Sequence, residues 1–245
     1  MLISFVLMYT VGINMVFGLE TQTQNQNVID LSKKFDRVKR LPIFKNIDNW
    51  KGFKFVIVGI GGIGFHVAKS LAQTLPIGYM ILVDKETLEE ENLNRFDVDP
   101  LYVGLPKVDV AAQIISALNP YISVDTYNGD FREVKDEISL DALTVVIDEV
   151  DSAVISRSIY EAAKEKSATY ISMKYNGFDK GTLYVNEIGF DSGLDNPYEI
   201  IPSAFFAASI FANILVYFLM SHDPDKIREM KLIKNISLSE VLGVA

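Results

Sequence analysis

The sequence contains no cysteine among its 245 residues. This absence excludes disulfide bonds, thiolate zinc sites, iron–sulfur clusters and a cysteine nucleophile. We therefore expect no zinc in this protein. Histidine is almost as rare, because only His66 and His222 occur. A histidine-rich metal site or a Ser-His-Asp triad is not expected from so few imidazoles.

Positive charge is also scarce in this chain. It has 23 Lys and Arg against 32 Asp and Glu, which gives a formal net charge of −9 at pH 7. Broad nucleic-acid surfaces work by neutralising phosphates, so DNA is not an expected partner, whereas a local patch for a tRNA stays open. Hydrophobic residues make up 49% of the chain. That share predicts a packed core and argues against disorder.

Two apolar stretches raise the question of membrane segments. Residues 1–18 lack the basic region and cleavage site of a signal peptide, and their Val, Ile, Tyr and Phe around Gly12 indicate two short strands joined by a turn. The stretch Ser203–Met220 is barely long enough to span a bilayer and is interrupted by Ser209 and Asn213. We predict a buried or interface helix there, no membrane attachment, and a cytoplasmic protein.

Strands and helices alternate along the middle of the chain. The sequences FKFVIVGI, YMILVD, ISVDTYN and LTVVIDEV predict strands, and GFHVAKSLAQTL, KVDVAAQIISALN and SAVISRSIYEAAKEK predict helices. Near-continuous apolar strands alternating with helices predict an α/β class fold. We expect a Rossmann-like, mainly parallel twisted sheet with helices on both faces.

The segments on either side of this alternating region add to the expected fold. ATYISMKYNGFDKGTLYVNEIG predicts a late β-hairpin around Asn176–Gly177. Upstream, a helix is predicted over residues 28–40, with Pro42 just past its end. We therefore expect an extension of strands and a helix over residues 1–50, and one compact domain over residues 51–245.

A glycine-rich turn, GIGGIG, follows the first predicted strand and opens the next helix. Its glycines are Gly59, Gly61, Gly62 and Gly64. A helix that begins in such a turn presents free N–H groups and the positive end of its dipole to a phosphate. Asp84 ends the next strand, where a carboxylate can bind ribose hydroxyls. These features fit a nicotinamide-dependent oxidoreductase as well as an ATP-binding enzyme, and His66 is expected only to pack.

The segment that follows Asp84 separates these alternatives. This segment contains the polar residues Asn92, Asn94, Arg95 and Lys107. A later DEVD element adds Asp148 and Asp151. Together with the glycine-rich turn, this pattern resembles the ThiF/MoeB/HesA family, the bacterial relatives of the ubiquitin-activating enzymes. The resemblance covers roughly residues 51–220.

The resemblance implies the activation of a carboxylate by ATP. The carboxylate attacks the α-phosphate, pyrophosphate leaves, and an acyl-AMP forms. Negative charge crowds that transition state, so catalysis rests on positioning and electrostatic stabilisation. By the family pattern, the four glycines admit the nucleotide and Asp84 holds its ribose.

The resemblance also assigns the polar residues that follow. Arg95 and Lys107 contact the phosphates and are the expected catalytic cations, while Asn92 and Asn94 shape their pocket. Asp151 is expected to support Mg²⁺, which prefers oxygen ligands. Asp148, the first carboxylate of the same element, could equally have a structural role.

The sequence departs from the family pattern at three places. Phe96 stands where the family often has Gln after its Asn-Arg pair. The cysteines that many members use for zinc and for a thioester are missing. The connection from Gly189 to Pro202 is short where many relatives have a long crossover loop. We expect a cysteine-free member with a reduced crossover loop, which passes its acyl-AMP directly to an outside nucleophile.

The substrate and the assembly are less well defined by the resemblance. Expected substrates are the C-terminus of a ubiquitin-like protein, a peptide, or a small or tRNA-linked carboxylate. A homodimer is expected, in which Arg37 or Arg40 either reaches the neighbouring site or only ends a helix. Two rival functions remain: a nicotinamide-dependent oxidoreductase, against which Arg95 and Lys107 argue, and a non-catalytic half of an activating heterodimer, against which Lys107 and Asp151 argue.

Overall fold

The structure is a computed structural model that describes residues 31–175, 180–189 and 201–242. Three predicted features lie outside these described residues: the strands of residues 1–18, the hairpin turn at Asn176–Gly177, and most of the short connection after Gly189. The chain divides into two units, residues 1–34 and 35–245. The described part of the first unit is helix α1 (Leu31–Lys34).

The single helix predicted over residues 28–40 is divided into two short helices in its described part. Helix α1 ends at Lys34, and a second short helix, α2 (Asp36–Lys39), begins after Phe35. Phe35 is only 3% exposed, and its backbone, with φ −100° and ψ 0°, stays in the right-handed helical region but departs from the ideal values of an α-helix. The continuous polar–apolar pattern did not predict this interruption.

Seven strands form one sheet in the unit of residues 35–245, in the order β3–β2–β1–β4–β5–β6–β7. The strands are β1 (Lys54–Val58), β2 (Tyr79–Asp84), β3 (Ser123–Asn128), β4 (Thr144–Asp148), β5 (Thr169–Tyr175), β6 (Lys180–Val185) and β7 (Leu232–Ser237). Strands β1 to β5 run parallel, and β6 is antiparallel to both of its neighbours. The predicted Rossmann-like, mainly parallel α/β sheet with a late antiparallel pair is confirmed.

The register aligns the carboxyl ends of the central strands. Val58, the last residue of β1, pairs with Val83 of β2 on one side and with Asp148 of β4 on the other. From β1 the chain continues to β2 and β3 on one side of the sheet and then crosses to β4 on the other side, so β1 and β4 flank a topological switch point. In open α/β sheets a ligand-binding crevice is expected at that point.

Helices cover both faces of the sheet, as predicted. The longer ones are α3 (Gly62–Thr74), α4 (Lys107–Leu118), α6 (Ala153–Glu165) and α7 (Ile201–Ser221), and the shorter ones are α5 (Phe131–Val134), α8 (Pro224–Glu229) and α9 (Leu238–Leu242). Alternate residues of β1 point to opposite faces, as the period of a strand requires. Phe55 and Ile57 join a core with residues of α3, α4 and α7, whereas Val56 and Val58 join a core with residues of α5 and α6.

The apolar stretch Ser203–Met220 lies within helix α7, which packs against α3. Its buried residues include Phe211, Leu215 and Leu219, which are fully buried. The helix therefore belongs to the core, as predicted. In the part of the chain that the structure describes, no helix has the length and apolar character needed to cross a membrane.

The residues just before β1 also enter the core. Phe44 is 8% exposed, and Ile47 and Trp50 are fully buried in the cluster that contains α3 and α7. The two aromatic residues lie on short 3₁₀ helices, Pro42–Phe44 and Ile47–Trp50. A domain boundary between residues 50 and 51 stays a prediction.

Candidate functional site

A cavity of about 210 Å³ opens at the carboxyl ends of β1, β2 and β4. Four residues predicted from the sequence line it: Gly59, Gly61, Asp84 and Asp151. The cavity lies at the topological switch point, where the fold places a ligand. Residues more than ninety positions apart are thus brought to one crevice.

Two glycines of the loop are required by close backbone contacts. Gly59 has φ +90°, and a Cβ atom there would lie 2.7 Å from the carbonyl carbon of Glu149. A Cβ atom on Gly64 would lie 1.9 Å from the carbonyl oxygen of Gly59. Both distances are below normal contact distances. A side chain at Gly59 would push the loop away from the end of β4, and a side chain at Gly64 would push it away from the helix that follows.

The other two glycines face different surroundings. A Cβ atom on Gly61 would have nothing within 4 Å, so this residue leaves open space beside the cavity. A Cβ atom on Gly62 would lie 3.2 Å from Cβ of Ala208 and 3.4 Å from Cδ of Arg95. Gly62 therefore lets α7 and the Arg95 side chain approach the first turn of α3.

Asp84 is held against the glycine loop by backbone hydrogen bonds. The Ile60 N–H donates to Oδ2 at 2.6 Å, and the Glu86 N–H donates to Oδ1 at 2.8 Å. Burial raises the pKa of the Asp84 carboxyl, and these two hydrogen bonds oppose that rise. The carboxylate is therefore fixed in direction at the end of β2, with oxygen lone pairs available to hydroxyl donors of a ligand.

Asp148 and Asp151 have different positions although they belong to one element. The Asp148 side chain is fully buried and accepts hydrogen bonds from the Tyr170 hydroxyl at 2.7 Å and from Lys174 Nζ at 3.1 Å. Lys174 Nζ also donates to the Val150 carbonyl oxygen at 2.6 Å. Asp148 thus anchors the loop after β4, and Asp151 is the one of the two that lines the cavity.

Glu149 is a wall residue that sequence reasoning missed. Its Oε1 accepts a hydrogen bond from the Met173 N–H at 3.0 Å. Burial raises the pKa of the Glu149 carboxyl well above its usual range, and the nearby positive charge of Lys174 opposes this. No sequence signal distinguishes Glu149, because it lies between the two aspartates that the family pattern selects.

Further wall residues were also missed, and two of them did carry a signal. Asp130 caps α5 by accepting from the Arg132 N–H, and Ser152 caps α6 by accepting from the Ile155 N–H. A short polar residue before an apolar helical run is a recognisable capping pattern. Lys85 and Glu86 complete this charged part of the wall.

We expect Glu149→Gln to stabilise the protein at about pH 8. The folded-state pKa lies above the ordinary value of 4.5, so the folded chain holds the proton more tightly than the unfolded chain. The free energy of unfolding therefore falls as pH rises between these two pKa values, and it stays lower above them. Gln keeps the acceptor for Met173 and carries no charge.

Thermal unfolding between about pH 4 and about pH 8 checks this expectation. The stabilising effect of Glu149→Gln should shrink to near zero at the acidic end. The matched control is Glu161→Gln on the exposed side of α6, which should change little at any pH. A destabilised Glu149→Gln variant at pH 8 would show that the charged carboxylate is favoured where it lies.

Arg95 and Lys107 lie beside the cavity and are absent from its described wall. The Lys107 side chain is only 6% exposed, and its Nζ lies 2.5 Å from Oε2 of Glu86, which does line the cavity. Arg95 Nη1 donates to the Glu91 carbonyl oxygen at 3.1 Å and to Asn94 Oδ1 at 2.9 Å. In this structure both side chains bind acceptors of the protein itself.

The two predicted asparagines do not line the cavity either. Asn92 is buried, and its Oδ1 accepts from the Glu89 N–H at 3.0 Å in a reciprocal capping box. Asn94 acts through its hydrogen bond to Arg95. Asn92 therefore shapes the 3₁₀ helix Glu90–Asn94, and Asn94 orients the guanidinium.

Comparison with known proteins places these features in one family. The model of the ThiF family matches residues 34–231. The chain belongs to the ThiF family. Among curated relatives, ubiquitin-like modifier-activating enzyme 5 of Oryza sativa subsp. japonica is 35% identical over 98 residues, covering 40% of this chain and 23% of the relative. The protein of the same name from Bombyx mori is 33% identical over 132 residues, covering 50% of this chain and 33% of the relative.

Solved structures show the same fold at lower identity. Escherichia coli MccB is 20% identical, with a TM-score of 0.58, and the match covers 80% of this chain and 65% of MccB. PaaA is 19% identical, with a TM-score of 0.61, and the match covers 96% of this chain and 82% of PaaA. The matched part of this chain spans at most about a third of the length of the two curated relatives.

Among the carboxylates of the cavity wall, Asp151 is the one that the sequence predicted to support Mg²⁺. Among the described residues, no group of three or more His, Asp or Glu side chains is placed to hold a metal ion. Mg²⁺ is commonly bound by one or two carboxylates together with substrate phosphates. Asp151, exposed at the cavity wall, fits that requirement as a single protein ligand.

Proposed function

We propose that this ThiF-family protein activates a carboxylate by ATP-dependent adenylation, without an enzyme thioester. The observation that carries the proposal is the cavity itself. It joins the glycine loop, Asp84 and Asp151 at the switch point, with Arg95 and Lys107 beside it. MccB, which shares the fold, has been solved with ATP and with AMPCPP and MccA.

The chain's own groups fit the steps of this reaction. The N–H groups at the start of α3 bind phosphate, and Asp84 accepts from ribose hydroxyls. A carboxylate oxygen of the substrate forms a bond to the α-phosphorus of ATP while the bond to pyrophosphate breaks. Arg95 and Lys107 stabilise the charge that develops on the phosphates. Mg²⁺ at Asp151 would neutralise further charge on the departing pyrophosphate.

The substrate is proposed to be the C-terminus of a ubiquitin-like protein or of a peptide, with a small or tRNA-linked carboxylate as a further option. The similarity to modifier-activating enzymes supports the first, and the fold shared with MccB supports the second. Because the chain has no thiol, the acyl-AMP passes directly to an outside nucleophile. A cytoplasmic homodimer completes the proposal.

Two measurements test the proposal. ATP–pyrophosphate exchange should appear with a suitable member of a panel of peptide and ubiquitin-like C-termini, and mass spectrometry should then show adenylated substrate beside unmodified enzyme. Calorimetry should show that ATP with Mg²⁺ binds more tightly than NAD⁺. Tight binding of NAD⁺ without binding of ATP would support the oxidoreductase instead, and ATP binding without exchange on any substrate would support the non-catalytic role.

Asp151→Asn should leave ATP affinity largely unchanged but raise the Mg²⁺ concentration needed for half-maximal exchange by about tenfold, which corresponds to ~1.4 kcal/mol. The amide keeps the shape of the carboxylate and loses its charge, which the cation prefers. The matched control is Asp136→Asn, an exposed aspartate outside the cavity wall. An unchanged Mg²⁺ dependence would remove Asp151 from the metal site.

A further inference from the structure

One face of helix α3 contacts the segment Arg95–Asp97, called here the Arg95 segment. The residues of this face recur at i, i+3, i+4 and i+7, which places them on the same side of a helix. They are Gly62, Phe65, His66 and Lys69. Because the glycine loop leads directly into α3, this face connects the Arg95 segment to the predicted phosphate site.

Phe96 is the centre of this contact. Its ring is 3% exposed and stacks on Phe65 of α3, with ring centroids 4.7 Å apart and an interplanar angle of 23°. Lys107 Nζ lies 5.9 Å from the centroid of the same ring. A cation near an aromatic ring is attracted to the negative face of that ring. The Phe96 side chain therefore packs on the helix that follows the glycine loop and also lies near the ammonium group of Lys107.

His66 fixes the backbone of the same segment. Its Nε2 lies 3.0 Å from the carbonyl oxygen of Arg95, and the side chain is buried. Burial lowers the pKa of the imidazole, which favours the neutral ring. A carbonyl oxygen only accepts, so Nε2 carries the hydrogen and donates it.

Lys69 makes the remaining contact of this face, with its Nζ 2.5 Å from Oδ2 of Asp97. The Asp97 side chain is 62% exposed in this pair. Exposed ion pairs are screened by water and contribute little. Phe96 and His66 are therefore the buried contacts that hold the Arg95 segment.

We propose that Phe96 and His66 are positioning residues that hold Arg95 and Lys107 in place relative to the glycine loop. The inference rests on the proposed function, in which these two cations bind the phosphates of ATP. Neither residue touches the nucleotide itself; both act through the cations.

Calorimetry with ATP and with AMP tests the proposal without a carboxylate substrate. Phe96→Leu should weaken ATP binding about tenfold and AMP binding less than about twofold, because AMP lacks the outer phosphates. Phe96→Tyr keeps the ring and should restore ATP affinity. The matched control is Phe53→Leu, since Phe53 is also buried and also has an aromatic partner, Trp50, but lies before the amino end of β1.

A second pair of variants tests the hydrogen bond separately. His66→Ala removes the donor to the Arg95 carbonyl oxygen, and His66→Gln supplies another N–H donor on an uncharged side chain. We expect the preference for ATP over AMP to fall in the alanine variant and to recover in the glutamine variant. Such a recovery is not expected if His66 only fills space.

The outcomes separate this inference from the function on which it rests. Equal losses of ATP and AMP affinity in Phe96→Leu and in His66→Ala, or a loss of thermal stability alone, would overturn the positioning role. An unchanged ATP preference in both variants would also overturn it and leave the proposed function standing. A parent protein that binds ATP no better than AMP would overturn this inference, whereas a parent protein that does not bind ATP at all would overturn the proposed function as well.

Discussion

Replacing Lys107 with Met should slow formation of the acyl-AMP by about 10²–10³-fold, the cost of losing one preorganised charge contact. Lys107 is almost fully buried beside the cavity, where its charge is poorly screened by water. Its removal also leaves Glu86, a wall residue, without its ammonium partner at 2.5 Å. The uncompensated carboxylate would then repel the phosphates of ATP, which adds to the loss.

The experiment compares single-turnover formation of acyl-AMP in the parent and in the variant. Lys54→Met is the matched control, because Lys54 is also largely buried and paired, with Asp141, but lies at the amino end of β1. The double variant Lys107→Met/Glu86→Gln should recover part of the lost rate, since it removes the repelling charge. Full recovery of the parent's rate in the double variant would show that Lys107 only neutralises Glu86, and a Lys107→Met variant that reacts at the parent's rate would contradict both roles.

Gly64→Ala should destabilise the protein and abolish most nucleotide binding. The new methyl group would lie 1.9 Å from the carbonyl oxygen of Gly59, so the glycine loop has to move. Overpacking of this kind typically costs about 1–3 kcal/mol, and backbone is the obstacle here, which does not relax as a side chain does. For a protein of this size, each kcal/mol lowers the melting temperature by roughly 2–4 °C.

Gly61→Ala is the control for this prediction, in the same loop. A Cβ atom there meets nothing within 4 Å, and the backbone has φ −85°, which any residue adopts. Its melting temperature should stay close to that of the parent, although the methyl group enters the cavity and can weaken ATP binding. Thermal unfolding with and without ATP measures both effects. Equal melting temperatures for Gly64→Ala and the parent would contradict the close packing of the loop.

The sheet and its longer helices could be predicted because their patterns are local. The apolar run of β1 and the 3.6-residue period of α3 each lie within one window of sequence, and the glycines between them mark the turn. Strand β7 was not predicted, since three of its six residues are exposed and its pattern is weak. The interruption at Phe35 was missed because burial of that ring depends on the rest of the core.

The candidate site could be predicted only in part. Family resemblance selected Asp148 and Asp151 together, but nothing in the sequence indicates that Asp148 is the one held by Tyr170 and Lys174 in the interior. Glu149 was missed for the same reason. Their partners lie more than twenty residues away on β5, so only the pairing of β4 with β5 decides which side chains turn inward.

By itself the sequence determined the class of fold, membership in a glycine-loop family and the absence of thiol chemistry, because these follow from local patterns and from composition. Only the tertiary structure decided which polar groups meet. It paired Lys107 with Glu86, buried Asp148, placed Asp151 in the cavity wall and stacked Phe96 on Phe65. The physical reason is that burial and hydrogen bonding depend on neighbours brought together by the sheet, and these neighbours lie far apart in the chain.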